Sequence, residues 1–99
     1  MITNYTEYCI ICGTPKTDDH HLIFGRGRRD LADKDNLIMP LCRKHHDFIH
    51  KGDAQTLSKI IGQLAFEKAY ILENGDFPYK NMDERARESF RKRYGESYL

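Results

Sequence analysis

Apolar residues in the first half of the chain come in two short runs, "HLIF" ending at Phe24 and "NLIMPL" ending at Leu41, each bounded by Gly, Asp or Pro. Branched and aromatic runs this brief, closed by turn-forming residues, predict two strands of a hairpin. The Arg/Gly stretch "GRGRRD" between them reads as a long connecting loop. From Arg43 to His50, "RKHHDFIH" lacks Gly and Pro and predicts a short helix ending at Gly52. On that helix His46 and His50, four apart, share one face.

Beyond Gly52 the pattern becomes helical. "DAQTLSKIIGQLAFEKAYILENG" spaces Leu57, Ile60, Ile61, Leu64 and Ile71 for a helix, offers Asp53 as N-cap and stops at Asn74-Gly75. "NMDERARESFRKRYG" predicts a final helix, with Asn81 and Glu84 read as a capping box, Met82, Ala86, Phe90 and Tyr94 along one face, and Gly95 at its end. The expected architecture is α+β in one domain, a small motif over residues 1–52 followed by a helical extension over 53–99. In that extension Leu57, Ile61, Leu64, Met82 and Phe90 are expected to pack on the motif.

Size changes the picture first. A chain of 99 residues buries a small core, so something else is expected to help hold it together. No run approaches the roughly 20 apolar residues of a membrane span, and "MITNYTEYCI" lacks the basic start and apolar run of a signal peptide. Those features predict a cytoplasmic protein with no membrane partner, where three cysteines point to metal ligation rather than disulfides. The net charge of +1 does not by itself mark a nucleic-acid binder, but Arg26, Arg28 and Arg29 cluster, as do the basic residues from Arg85 to Arg93.

"CIICG" and "LCRKH" form two knuckle-like turns, C-x2-C and C-x2-H. Together they would bring Cys9, Cys12, Cys42 and His45 to one tetrahedral ion, three thiolates and an imidazole with no open position. That closed donor set is typical of structural zinc, and such an ion supplies the staple a small core needs. A redox role for "CIIC" is disfavoured by the missing βαβ context.

Four histidines remain: His20, His21, His46 and His50. Adjacent strand residues point to opposite faces, so His20 and His21 are expected to have different roles unless the strand ends or twists there. The order "CIIC … DDHH … DNLIMPLCRKHHDFIH", from Cys9 to His50, resembles the HNH endonucleases of the ββα-metal superfamily, in their zinc-ribbon-containing form. The resemblance implies a zinc-stapled ββα-metal motif in which His20, His46 and His50 hold a divalent ion, His21 is the general base and Asn36 is the central asparagine, which in relatives either orders the active-site loop or contacts the metal. More loosely, "HHLIFG" and "YGESYL" resemble segments of small phage and bacterial HNH proteins of the recombination-enhancement nuclease type. That would imply a recombinase filament or phage complex as partner, with DNA as substrate.

The chemistry suits these roles. An imidazole ordinarily titrates at about 6.5 and can accept a proton from water at physiological pH. A divalent ion on three imidazoles would polarise the phosphate and neutralise the leaving oxygen; manganese, nickel, cobalt or zinc would suit such donors better than magnesium. Arg26, Arg28 and Arg29, in a loop leaving the histidine-bearing strand, are expected to hold DNA phosphates and to have no structural partner. The competing expectation is a non-catalytic zinc-ribbon adaptor that binds nucleic acid, which would need the thiol set but not His20, His21, Asn36, His46 and His50 together.

Overall fold

The computed structural model describes residues 1–75 and 81–99 of the chain. It is a small α+β protein: β1 (Asp18–His21), α1 (Arg28–Lys34), β2 (Ile38–Leu41), α2 (Arg43–Ile49), α3 (Asp53–Asn74) and α4 (Met82–Tyr94) follow in chain order. The strands pair antiparallel, with Asp18 opposite Leu41 and His21 opposite Ile38. The N-terminal segment joins β2 on its backbone groups, since Ile2 N–H donates to Ile38 O at 2.8 Å and Ile10 N–H to Pro40 O at 3.0 Å. Those bonds occupy groups that an uncovered edge strand would expose.

Strand β1 is more polar than expected. It spans "DDHH", and beyond it Leu22, whose N–H still donates to Leu37 O at 2.9 Å, and Ile23 are fully buried core residues. Their apolar side chains serve the packing of the hairpin against α3. The expected connecting loop also differs, because "RRDLADK" forms α1 directly after Gly27, whose φ of 76° opens the helix. Ala32 of that helix is buried, Asp30 lies in its first turn and Lys34 in its last, a charge order that favours the helix dipole. Asp35 caps α1, and Tyr94 O–H and Arg93 Nε each donate to its carboxylate at 2.6 Å, fastening α4 to the hairpin connection.

Helix α2 forms as expected, one residue shorter than the stretch that suggested it. Helix α3 starts at Asp53 with Gly52 as N-cap, a shift of one residue from the expected cap. Its inward face, however, is not the leucine stripe. Leu57 and Leu64 are about half exposed, at 51% and 52%, whereas Ser58, Gly62, Gln63 and Glu67 are buried. Gly62 explains the orientation: a Cβ there would lie 2.7 Å from Ile23 Cδ1 and 3.0 Å from Leu22 Cβ. At this position the helix backbone approaches the hairpin so closely that any side chain would force Ile23 and Leu22 to shift. The buried polar groups are paired, Ser58 with His20, and Gln63 with Glu67, Ser97 and the Tyr98 N–H. Ile61 does pack against the core as expected.

Helix α4 buries Met82, Ala86, Phe90 and Tyr94, the face its periodicity predicts, and Gly95 ends it at φ 86°. Phe90 stacks on Tyr94 with ring centroids 4.6 Å apart and meets Phe66 of α3 edge-on at 5.4 Å. Asn81 does not make the expected capping box. It sits in the left-handed region at φ 59° and its side chain bonds no helix N–H, a conformation that Asn tolerates better than most residues.

Candidate metal centres and the histidine cleft

Helix α2 and the chain entering it supply ligands to two clusters. Cys42, at the end of the hairpin, is the N-cap of α2 and His45 lies in its first turn. Opposite them the knuckle closes through Cys9 N–H to Thr14 O at 2.7 Å and Gly13 N–H to Cys9 O at 2.9 Å, with Gly13 at φ 75°. Cys9, Cys12, Cys42 and His45 bring their donor atoms within 4.8 Å of one another. Three of the edges measure 3.8 Å (Cys12 Sγ to Cys42 Sγ), 3.6 Å (Cys9 Sγ to His45 Nδ1) and 3.3 Å (Cys42 Sγ to His45 Nδ1). A tetrahedral ion with arms of about 2.3 Å to sulfur and about 2.0 Å to nitrogen spans edges of about 3.5–3.8 Å. The residues therefore fit a single four-coordinate metal. A hydrogen bond with Thr14, 3.0 Å away, is the main cause that lowers the Cys12 thiol to about 7, so the exposed cysteine readily supplies the thiolate that metal binding needs.

The second cluster combines β1 with the next turn of α2. His20, His46 and His50 also place their donor atoms within 4.8 Å of one another. His46 and His50, four apart on α2, face each other with their Nε2 atoms 3.1 Å apart. The His20 ring lies 5.1 Å from each, centroid to centroid. His20 is 1% exposed, and burial, followed by the neighbouring His46 and His50, pushes its pKa down to about 3. It is thus neutral at physiological pH, the form that ligates metal. Burial also lowers His50.

Two partners orient these rings. Asp18 Oδ2 lies 3.1 Å from His46 Nδ1, and that hydrogen bond is the main cause holding the Asp18 carboxyl below its usual range. An ionised carboxylate accepts only, so His46 carries its proton on Nδ1 and turns the Nε2 lone pair toward His50. This is the carboxylate–histidine arrangement common behind metal ligands. Ser58 Oγ approaches His20 Nε2 at 2.8 Å from α3. Neither partner is among the residues the sequence singles out. Asp18 shares the strand face of His20 by two-residue alternation, a signal present in "DDHH"; Ser58 offers only a place on a long helix.

The histidines open on a cleft of about 270 Å³ that His21 and Arg29 also line, together with Phe24 and Gly25. His21 is the last residue of β1, where the ladder ends, which lets it face the same cleft as His20. Its Nε2 lies 3.5 Å from Asp33 Oδ1. Asn36 is elsewhere. It occupies the turn between α1 and β2 at φ 60°, its side chain bonds Met1, and it borders a separate depression with Asp35 and Phe66. A loop-ordering role fits that position; direct contact with the histidine cluster does not occur.

The three arginines also part company. Arg29 lines the cleft and Arg26 is exposed. Arg28, expected to be free, has structural partners, donating to Tyr98 Oη at 3.1 Å and to Glu96 Oε2 at 2.8 Å. The C-terminal segment carries no readable sequence signal for that pairing.

The architecture and the two clusters define a small α+β protein with two candidate metal centres flanking one helix. Residues 4–73 match the family described as "Protein of unknown function (DUF968)", and the chain belongs to that family. It is also similar to the uncharacterized protein YdfU of Escherichia coli (strain K12), 47% identical over 61 residues. The match covers 60% of this chain but only 17% of the length of YdfU. No solved structure matches the chain. Among the described residues no helix is long and apolar enough to cross a membrane.

Proposed function

We propose that the chain is a metal-dependent DNA endonuclease of the HNH type, with a structural zinc on Cys9, Cys12, Cys42 and His45 and a second divalent ion on His20, His46 and His50. The observation that carries the reading is the convergence of three histidines from two elements on a cleft that a fourth histidine and an arginine share. A binding module would have no use for that arrangement. The donor set, three imidazoles, favours manganese, nickel, cobalt or zinc over magnesium. When bound, the ion would polarise the scissile phosphate and stabilise the departing oxygen. His21 takes the proton of the attacking water. Asp18 and Ser58 hold the ligand rings, and Arg29 meets a phosphate of the substrate.

Supercoiled plasmid incubated with the zinc-loaded protein tests the reading. Nicked or linear product should accumulate with manganese, nickel or cobalt, and His50→Ala should abolish it without loss of folding. Plasmid that is bound but never cut with any of the metals would sink the nuclease and favour the zinc-ribbon adaptor.

The arginines make a separate prediction. Arg26→Ala with Arg29→Ala should weaken DNA binding about equally for unrelated sequences, because phosphate contacts position without specifying. The slope of log affinity against log salt should flatten by roughly 1 for each phosphate that is no longer neutralised. Arg28→Ala should instead lower the melting temperature, by about 4 °C or more if its two hydrogen bonds are together worth about 1 kcal/mol in a domain of this size. Affinities at several salt concentrations and a thermal melt separate the two effects. An unchanged slope in the double variant would shift attention to the basic face between Arg85 and Arg93.

A further inference from the structure

We infer that Ser58 is a positioning residue for the histidine metal centre, fixing which nitrogen of His20 is presented to the ion. Both partners are sealed from solvent, His20 at 1% and Ser58 at 0% exposure. Ser58 Oγ lies 2.9 Å from Leu22 O and 2.8 Å from His20 Nε2. A carbonyl oxygen can only accept, so the single hydroxyl proton of Ser58 goes to Leu22. The hydroxyl oxygen must then accept from His20, and His20 carries its proton on Nε2. That leaves the Nδ1 lone pair as the one His20 can offer to an ion shared with His46 and His50.

The placement of Ser58 follows from the close approach one turn along α3, where Gly62 lets the helix backbone reach Leu22 and Ile23. Leu22 thus meets α3 twice, through its Cβ opposite Gly62 and through its carbonyl on Ser58. The helical extension is in this way part of the site and not only a scaffold beneath it. Asp18 performs the matching task for His46 from the other side. Outer partners of this kind usually affect metal affinity by 10–100-fold.

The inference rests on the proposed metal role of His20, His46 and His50, and the test keeps the two apart. Zinc-loaded protein is titrated with cobalt(II), read by visible absorption, and the His20 tautomer of the cobalt-free protein is read by long-range proton–nitrogen NMR. Wild type should show the Nε2–H tautomer. Ser58→Ala should bind cobalt about 10–100-fold more weakly and lose that tautomer preference, while keeping its helix content and the zinc on the cysteines. Ser58→Thr, which retains the hydroxyl, should restore both. Equal cobalt affinity and an unchanged tautomer in a folded Ser58→Ala protein would overturn the inference, as would a wild-type His20 protonated on Nδ1, a result independent of whether any variant folds. Wild type that takes up no cobalt beyond the zinc site overturns the metal reading itself.

Discussion

On the proposed endonuclease reading, replacing His21 by alanine is expected to slow DNA cleavage by about 10²–10⁴ while leaving the fold and both candidate metal centres in place. His21 lines the cleft and is not among the clustered ligands, so its removal takes away a proton acceptor without opening a coordination position. His46→Ala should behave differently, because it removes a proposed ligand and one of the donors to the Asp18 carboxylate, which also accepts from Thr17 and faces Arg43. Cobalt titration beside a plasmid-cleavage time course distinguishes the two. Full activity of a pure His21→Ala protein would show that another group activates the water; Asp33, exposed and 3.5 Å from the ring, would then be the next candidate.

Much of the site is legible in the chain because its parts are local in sequence. Cys9 with Cys12, Cys42 with His45, and His46 with His50 are each close pairs, and a knuckle or one helical turn brings each pair together almost regardless of the rest of the fold. What pairs with what across the molecule is less legible. Helix α1 spans too few residues for periodicity to show, so Arg28 looks like part of a free loop when it is tied to Tyr98 and Glu96. Hydropathy points Leu57 and Leu64 of α3 inward. The need for close backbone approach at Gly62 turns the helix the other way and carries Ser58 to His20. A polar residue on a long helix ordinarily faces water, and only the buried imidazole opposite it makes Ser58 intelligible.

Cys42→Ser should have the largest effect on the fold, unfolding the chain at ambient temperature rather than slowing any reaction. Cys42 ends the hairpin, caps α2 and contributes a donor to the thiol cluster, all within one residue. His45 and His46 are neighbours on that helix but serve different clusters, so whatever frees the start of α2 disturbs both centres at once. Zinc held by such a donor set contributes an apparent 10–16 kcal/mol or so in small metal-dependent domains, whereas whole domains are stable by only about 5–15 kcal/mol. Loss of a ligand that releases the ion therefore removes an amount comparable to the entire net stability. Circular dichroism of the variant should show collapse of the helical signal, and elemental analysis should show less than one zinc per chain; strong chelation of the wild-type protein should reproduce both. His50→Ala, which touches only the histidine cluster, should stay folded and keep its zinc. A Cys42→Ser protein that melts at the wild-type temperature would mean that the hairpin and the α3–α4 packing hold the fold unaided, and that the thiol cluster serves some purpose other than a staple.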